Sequence, residues 1–526
     1  MERVFLFFTL ICLYTQSFGQ TSLHIGFDRD IEKYYPKTED GSATYVMQLQ
    51  RPQLVKGIVG KALDLSENAV LRKPVVLKAD EVPAYSEEYD FSVQVWVKTL
   101  KGAQQGTPII GNKKEGNLNQ QGWSIFTQSN GAWGVNLSDG KNSFTYKTNA
   151  PRQVINDGEW HQVAFCLDRE KGETWFYFDG KNVGIYDTPA LGSLANENRT
   201  IAGGTDEYWE YGSFGQWTAF NGFIDEVSLQ NKTFHSSDIL QSYKQYKIPD
   251  AEGQLIAPLR VMVWNIWHGG RRYGKHVGVK RVVETIKQAQ PDIVGLIETY
   301  GSGEIIADSL GYYFYLISSN LSIMSKFPIK ETIKVFRPFN SGGVILDLGN
   351  NKQIAVVDTW LHYLPDYGKN VVERIMSSEE LVKAEKKTRH SEVKQILKEI
   401  KPLVNNSNQT PVIMLGDFNS GSHLDWIETT KQIHYGYSIE WPVSKEMEQA
   451  GFLDSFRELN INPLLDPGLT WTPRAARSST NYGLRDRIDF IYYKGNIRPI
   501  ESKVIDYHPI MFPSDHAAVI SVFEFE

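Results

Sequence analysis

Carboxylate, amide and imidazole side chains recur in the second half of the sequence, each beside an apolar run of strand length. Asn265 closes the first of these runs, and Glu298 follows the second. Oxygen ligands of this kind suit hard divalent cations such as Mg²⁺, whereas a carboxylate beside an imidazole can position and deprotonate a water molecule. Their joint order, each at a strand edge, is a poor fit to chance and predicts a functional site at the strand ends. The later members are His362, Asp417, Asn419, Asp489, Asp515 and His516.

The elements that must hold these side chains are strands alternating with helices. Apolar residues at helical spacing from Val279 to Ile286 predict one face of a helix. A longer helix is expected from about Glu379 to Ile400, ended by Pro402. Because loops at strand ends carry functional groups above a rigid sheet, this half is predicted to be α/β or α+β, with its site at the strand ends.

The first half has a different sequence pattern. Short alternating runs such as Phe91–Val97, Trp160–Phe165 and Thr174–Phe178 are broken by Gly, Asn and Asp, and Asp179-Gly180 is typical of a hairpin turn. Almost no helical periodicity interrupts them. An all-β sandwich is therefore expected for residues 20–247, a linker for 248–258 and the second domain for 259–526.

The first 19 residues are predicted to be an export signal. Arg3 precedes an apolar run from Val4 to Tyr14, and Ser17-Phe18-Gly19 supplies a small-x-small cleavage pattern before Gln20. A run of this length is too short to span the roughly 30 Å of hydrocarbon in a bilayer. The mature protein is thus expected to be secreted, periplasmic or held at the cell surface, with no transmembrane segment.

Composition narrows the class of protein. The 526 residues are 41% hydrophobic and 22% charged, which supports real cores in two domains and excludes disorder. The net charge of −7 differs from the basic body of a protein that holds nucleic acid mainly by charge. The only cysteines are Cys12 and Cys166, so a disulfide scaffold and a cysteine zinc site are excluded.

The second half resembles the endonuclease/exonuclease/phosphatase superfamily, which includes deoxyribonuclease I-like nucleases, neutral sphingomyelinases and inositol phosphatases. The resemblance covers about Leu259 to Glu526, and its most specific parts are Gly416-Asp417-Phe418-Asn419 and Ser514-Asp515-His516. It implies an α+β four-layer sandwich, with two mixed β-sheets face to face and helices outside.

The same resemblance implies a metal-dependent phosphoesterase. Glu298 is expected to bind Mg²⁺ directly, with Asn265 and Asp515 as neighbouring ligands and Mn²⁺ as a substitute ion. The cation would neutralise the charge that develops during hydrolysis of a phosphate ester.

The resemblance also implies the catalytic groups. Asp417 with Asn419, or His516 oriented by Asp489, would position and deprotonate the attacking water, and both assignments stay open. His362 would donate to the phosphoryl oxygens as charge builds on them.

The substrate is less constrained. Nucleases of this superfamily often carry an Arg shortly after the metal-binding Glu, and Glu298-Thr299-Tyr300-Gly301 has none. A phosphodiesterase that acts on another ester is therefore favoured. The alternative is an extracellular nuclease, for which nucleic acid would be a substrate and not a bound partner. Trp267, Tyr363 and Asp366 are candidate substrate-binding residues, and Asp366 can alternatively cap the turn after Pro365.

The first half resembles a laminin G-like, concanavalin A-like jelly roll. Such domains bind glycans or other proteins, in some cases through Ca²⁺, for which Asp28 and Asp225 are the candidate ligands. A non-catalytic glycan-binding surface protein is accordingly a second alternative. The motifs that carry the resemblance are Gly60–Asp64, Phe91–Trp96, Asp157–His161, Phe178–Gly180 and Gly222–Glu226.

Overall fold

A computed structural model describes residues 22–28, 52–69, 74–77, 79–102, 107–113, 118–149, 151–204, 220–247, 258–472 and 484–526. The predicted export signal and all of the predicted linker except Pro258 lie outside these ranges. Within them, no helix combines the length and the apolar character needed to cross a bilayer.

The first domain contains fourteen strands in the part of the chain that is described, and one helix closes it. The helix is α1 (Ser236–Lys244). The strands are β1 (Ser22–Ile25), β2 (Gln53–Lys56), β3 (Lys61–Asp64), β4 (Val75–Leu77), β5 (Phe91–Thr99), β6 (Pro108–Gly111), β7 (Gly122–Thr127), β8 (Trp133–Ser138), β9 (Ser143–Lys147), β10 (Trp160–Asp168), β11 (Glu173–Phe178), β12 (Lys181–Asp187), β13 (Thr200–Ala202) and β14 (Gly222–Gln230).

These strands form two antiparallel sheets that face each other, in the orders β2-β3-β14-β5-β10-β11-β12, with β1 beside β14, and β4-β13-β6-β7-β8-β9. The expected hairpin joins β11 to β12, and Asp179 and Gly180 both adopt positive φ, of 50° and 79°. In β5, Val93 and Val95 face the core between the sheets. Trp96 is buried on the outer face, where it stacks on Tyr243 of α1. The all-β sandwich expected from the sequence is confirmed.

The second domain alternates strands with helices. Its strands are β15 (Leu259–Asn265), β16 (Ile293–Ile297), β17 (Tyr313–Leu316), β18 (Leu321–Ser325), β19 (Ile329–Lys334), β20 (Ser341–Asp347), β21 (Gln353–Trp360), β22 (Val412–Asp417), β23 (Leu453–Asp454), β24 (Asp489–Lys494), β25 (Ile497–Ile505) and β26 (Ala518–Phe525). Its helices are α2 (Val277–Ala289), α3 (Gly303–Leu310), α4 (Tyr367–Val372), α5 (Ser378–Lys386), α6 (Arg389–Glu399), α7 (Lys401–Asn405), α8 (Pro442–Gln449) and α9 (Ser455–Leu459).

Two mixed sheets of this domain face each other, in the orders β17-β18-β16-β15-β26-β25 and β19-β20-β21-β22-β24-β23. Val263 and Ile413 belong to the core between them. On the outer faces, α2 and α3 cover the first sheet, and α6 and α8 cover the second. The predicted apolar face of α2, from Val279 to Ile286, is buried there. The four-layer sandwich is confirmed.

The prediction of a single long helix over Glu379 to Ile400 is wrong. The backbone leaves helical geometry at Thr388, with φ of −121° and ψ of −110°, and separates α5 from α6. The Thr388 hydroxyl donates to the carbonyl of Ala384, which ends α5. Pro402 does not terminate a helix but lies in the first turn of α7, where a proline costs no hydrogen bond.

The two domains share a core and a sheet. Tyr186 in β12 pairs with Leu316 in β17, which connects the long sheet of the first domain to that of the second. Cys166 and Trp175 of the first domain belong to the same buried cluster as Tyr315 of the second. Cys166 is a buried free thiol in β10, as expected from its apolar neighbours.

Candidate active site

The predicted site residues meet where the two facing sheets of the second domain end. Asp417 is the last residue of β22, and it pairs across the ladder with Asp489, the first residue of β24. Asn265 closes β15 beside Ile297, the last residue of β16. The chain leaves β15, β16 and β22 and enters β24 at this end, which brings side chains from distant parts of the sequence together.

Three of these side chains form a buried cluster. Nδ1 of His516 lies 2.9 Å from Oδ2 of Asp489, and its Nε2 lies 4.0 Å from Oδ2 of Asp417. One potential ligand atom from each of the three residues lies within 4.8 Å of the others. Because Asp489 fixes one ring nitrogen, the second nitrogen is directed towards Asp417.

Charge coupling in this cluster shifts the side-chain pKa values. Burial raises the pKa of Asp417, whereas the charge of His516 lowers it. Burial alone would lower the pKa of His516, but the adjacent carboxylates of Asp489 and Asp417 outweigh it and raise that pKa. In the absence of a cation, the imidazolium form of His516 is thus stabilised by its two carboxylate neighbours.

Asn265 connects the cluster to Glu298. Its Nδ2 donates to Oε1 of Glu298 at 3.3 Å and to Oδ2 of Asp417 at 3.1 Å, while its Oδ1 accepts from the main-chain amide of Trp267. The Ser514 hydroxyl donates to the Asn265 carbonyl at 2.6 Å. One amide side chain therefore bridges the two sheets and holds the carboxylates of both.

Two carboxylate oxygens of the site have no hydrogen-bond donor among the described residues. They are Oδ1 of Asp489 and Oδ1 of Asp515, both buried. Burial and the charge of Glu298 raise the pKa of Asp515 to about 6, against the opposing charge of His516. Buried oxygens without donors, next to further carboxylates, match the hard oxygen ligands that a divalent cation requires.

Several site residues hold a backbone conformation that side chains rarely adopt. Glu298 and Asn419 have φ of 57° and 49°. The main-chain amide of Glu298 donates to Oδ1 of Asn320, and that of Asn419 donates to Oδ1 of Asp417. Nδ2 of Asn419 donates to the carbonyl of Leu361 at 2.9 Å. Side-chain hydrogen bonds thus hold strained backbone at the site, a feature that concentrates at functional positions.

The other predicted residues lie around this centre. His362 follows Leu361, which Asn419 holds, and it lines a cavity next to the site. Tyr363 is about half exposed, and its ring lies 5.4 Å from that of His362. Asp366 accepts from the main-chain amide of Lys369 and caps α4, the alternative role noted for it. Trp267 is half-buried, with the Arg272 guanidinium 5.2 Å from its ring centre.

The sequence did not indicate two residues that support the site. Asn320 holds Glu298, and Thr470 accepts through its hydroxyl from the main-chain amide of Asp489 at 3.2 Å. The Thr470 carbonyl also accepts from the main-chain amide of Ala517, next to His516. Neither residue lies at the end of an apolar strand that carries a predicted ligand. Strand-end position alone therefore does not identify Asn320 or Thr470.

In the first domain, the two candidate Ca²⁺ ligands both serve the backbone. Asp28 accepts from the main-chain amide of Lys61 at 2.7 Å, and Asp225 accepts from those of Ile58 and Val59. Burial raises the pKa of Asp225 to about 7. These hydrogen bonds match the turn-holding role that the sequence also allowed, and Ca²⁺ binding here stays a prediction.

The comparisons with known proteins agree with both halves of the chain. Residues 262–516 match the model of the endonuclease/exonuclease/phosphatase family, and residues 76–240 match that of the concanavalin A-like lectin/glucanases superfamily. The "Uncharacterized protein F14F9.5" of Caenorhabditis elegans is 29% identical over 291 residues, which are 51% of this chain and 91% of that protein.

Solved structures similar to this chain include TDP2 from C. elegans, with 16% identity, a TM-score of 0.38 and coverage of 55% of this chain and 84% of that chain. The human Nocturnin catalytic domain has 16% identity, a TM-score of 0.36 and coverage of 51% and 94%. An AP endonuclease from Archaeoglobus fulgidus has 17% identity, a TM-score of 0.35 and coverage of 51% and 99%.

The family models and the fold thus agree: residues 76–240 match the concanavalin A-like superfamily, and residues 262–516 match the endonuclease/exonuclease/phosphatase family, whose members are hydrolases that act on phosphate esters.

Proposed function

We propose that the protein is an exported, Mg²⁺-dependent phosphoesterase, of the phosphodiesterase type, that hydrolyses its substrate by attack of water. One observation carries the proposal: the buried group of Asp417, Asp489 and His516 lies beside Glu298, to which Asn265 links it. This arrangement combines ligands for a cation with groups that can hold a water molecule.

Glu298, Asn265 and Asp515 are the residues that would hold the cation. The free Oδ1 of Asp515 and the carboxylate of Glu298 are hard oxygen donors, which Mg²⁺ and Mn²⁺ both accept. When bound, the cation would neutralise charge on the reacting phosphate. The mutual repulsion of the two carboxylates, which helps to raise the pKa of Asp515, would then be relieved.

Asp489, His516 and Asp417 would act on the water and its proton. Asp489 orients the ring of His516, so that Nε2 of His516 and Oδ2 of Asp417 converge on one position from 4.0 Å apart. Asp417, or His516 in its neutral form, would accept the proton there. Asn419, held by Asp417, keeps the loop of Leu361 in place, and His362 would donate to the phosphoryl oxygens.

The first domain would attach the enzyme to a glycan or a surface protein. Its match to the concanavalin A-like model supports a binding role. Export is inferred from the apolar N-terminal run and the cleavage pattern that ends at Gly19.

The decisive experiment is hydrolysis of bis(4-nitrophenyl) phosphate by the mature chain, residues 20–526. Turnover should require Mg²⁺, stop with EDTA and be lost in His516→Ala. Because His516 is buried, circular dichroism should accompany the variant to show that it folds. Turnover that persists in EDTA, or that is equal in the folded variant, would overturn the proposal.

A further inference from the structure

The cavity that His362 lines contains none of the other catalytic or metal-binding candidates. It has a volume of about 390 Å³ and lies between the turn that follows β19 and the junction of α5 and α6. Its lining residues are Phe336, Arg337, His362, Lys387, Thr388, Ser391 and Glu392. It is therefore a separate pocket that borders the active site through His362.

Two cations of this cavity have no acidic partner. Neither Arg337 nor Lys387 forms a salt bridge with any residue that the structure describes. Glu392 is the acidic residue in the lining, and its Oε2 accepts from the main-chain amide of His362 at 2.8 Å. The cavity thus offers two cations that form no salt bridge with a described residue, and the Arg337 guanidinium lies 5.0 Å from the ring centre of Phe336. A pair of such cations is suited to a phosphate group.

A strip of aromatic side chains connects the cavity to the catalytic centre. The rings of Phe339 and Trp360 lie 5.7 Å apart, and those of Trp360 and Tyr363 lie 6.3 Å apart. The side chains of Phe339 and Tyr363 are 42% and 51% exposed, so both rings are accessible from solvent. The strip is fixed at the site, because Trp360 pairs with Asp417 in the sheet.

The other end of the strip is tied to the metal-binding candidate. Asn320 accepts from the main-chain amide of Glu298 and donates to the carbonyl of Phe339 at 3.0 Å. Phe339 lies in the same turn as Arg337, whose carbonyl accepts from the main-chain amide of Asn340. The rings of Phe339 and Trp360 are nearly perpendicular, at 88°, so a planar ring can stack on one exposed ring of the strip, that of Phe339 or Tyr363, while phosphates occupy the catalytic centre and the cavity.

We propose that Arg337 and Lys387 in this cavity bind a second phosphate of the substrate, beyond the one that His362 contacts, with a planar ring of the same molecule on the Phe339–Trp360–Tyr363 strip. This rests on the proposed phosphoesterase function and narrows its substrate to ring-bearing esters with two phosphates.

Calorimetric titration of the mature chain tests this without turnover. The probes are adenosine 3′,5′-bisphosphate, adenosine 5′-monophosphate and inositol 1,4-bisphosphate, with Mg²⁺ in the His516→Gln background. Repeating the titrations on the unmutated chain with Ca²⁺ guards against misfolding of that variant. The adenosine bisphosphate should bind at least about tenfold more tightly than adenosine 5′-monophosphate, because its second phosphate adds charge-assisted contacts. It should exceed inositol 1,4-bisphosphate by a similar factor, at least about tenfold, because the inositol ring is not planar and cannot stack.

Substitution separates the cavity from general charge effects. Arg337→Gln with Lys387→Gln should remove the roughly tenfold preference for the bisphosphate. The control variant, Lys383→Gln with Lys386→Gln, loses the same amount of charge at exposed positions of α5. This control should retain the preference for the bisphosphate over the monophosphate. Equal binding of the two adenosine probes, equal binding of inositol bisphosphate, or a preference that survives the first pair would overturn the inference.

Failure of the inference is distinguishable from failure of the proposed function. Bis(4-nitrophenyl) phosphate carries one phosphate, so the Arg337→Gln, Lys387→Gln variant should hydrolyse it at the rate of the unmutated chain. Turnover of this ester with no bisphosphate preference would reject the second phosphate site alone.

Discussion

The side chain of Asn320 holds the main-chain amide of Glu298 at 3.2 Å, although the two residues belong to different loops. Glu298 has a left-handed φ of 57°, a conformation that is costly for a residue with a Cβ. Asn320 is 1% exposed, and its own amide donates to Phe339. The orientation of the main metal-binding candidate therefore depends on a residue that would not contact the cation.

Replacement of Asn320 should weaken metal binding. Asn320→Ala leaves the buried amide of Glu298 without an acceptor, which we expect to lower the free energy of unfolding by about 1–3 kcal/mol and to raise the Mg²⁺ concentration needed for half-maximal turnover. Asn320→Asp keeps the acceptor and should affect metal binding less. Urea unfolding and Mg²⁺ titrations of activity measure both effects. An unchanged Mg²⁺ requirement in a folded Asn320→Ala protein would contradict the positioning role.

Substitution of Asp489 should separate catalysis from folding. Asp489→Asn keeps the shape but removes the charge that fixes Nδ1 of His516, so turnover should fall by about 10²- to 10⁴-fold. Asp486→Asn is the matched control. Asp486 is equally buried, but it accepts from Tyr367 and Trp426 instead of His516. Similar losses in the two folded variants, compared by initial rates and circular dichroism, would argue against a special role for Asp489.

Strand-end position predicted where three of the candidate side chains lie. Asn265, Asp417 and Asp489 were placed at the ends of apolar runs, and these runs are β15, β22 and β24 with boundaries shifted by at most one or two residues. Buried strands are easy to recognise in a sequence, because the same apolar side chains form the continuous run and fix the register of the strand in the sheet. The meeting of these residues follows from register, since Asp417 and Asp489 are direct partners.

Contacts between separate parts of the chain could not be predicted in this way. Asn320 and Thr470 act through hydrogen bonds to backbone far away in sequence, and no local pattern encodes such a partner. The break at Thr388 was missed because helical periodicity continues through it. The pairing of Tyr186 with Leu316 depends on how two finished domains dock, which the composition of neither domain reveals.

The docking of the two domains should depend on pH through Glu304. This carboxyl in α3 accepts from the Tyr146 hydroxyl at 2.8 Å, and burial raises its pKa above 4.5, against the effect of the hydroxyls of Thr148, Tyr146 and Tyr186. Because the folded protein then binds the proton more tightly than the unfolded chain, this stabilisation is complete below about pH 4.5 and is lost as pH rises through the folded-state pKa.

Glu304→Gln keeps the shape of the side chain and removes its titration. The free energy of unfolding of the unmutated chain, relative to this variant, should therefore decrease as pH rises from about 4.5 to about 8. Urea unfolding at several pH values measures the difference. Glu331→Gln, at an exposed position of β19, is the matched control for the removal of a carboxylate. A constant difference for Glu304→Gln would show that the pKa of Glu304 is the same in the folded and unfolded states.

A buried network of charged side chains near the site should contribute strongly to the free energy of unfolding of the second domain. Arg487 is 1% exposed and donates to Asp425 at 2.9 Å and to Asp454 at 2.7 Å. Arg487→Met would leave both carboxylates buried with one cation fewer, and we expect a loss of about 3–5 kcal/mol in the free energy of unfolding. Asp425 also accepts from Arg457 at 2.8 Å, so two guanidinium groups hold this carboxylate.

Arg498→Met is the control, because Arg498 pairs with Glu524 on the surface and should cost no more than about 1 kcal/mol. Urea unfolding at neutral pH compares the two variants, and unchanged m-values would show that both unfold from the same folded state. Arg487 lies two residues before Asp489, so the loosened start of β24 should also lower turnover per folded molecule, which Arg498→Met should not. A cost at Arg487 as small as that at Arg498 would mean that water reaches the network and screens its charges.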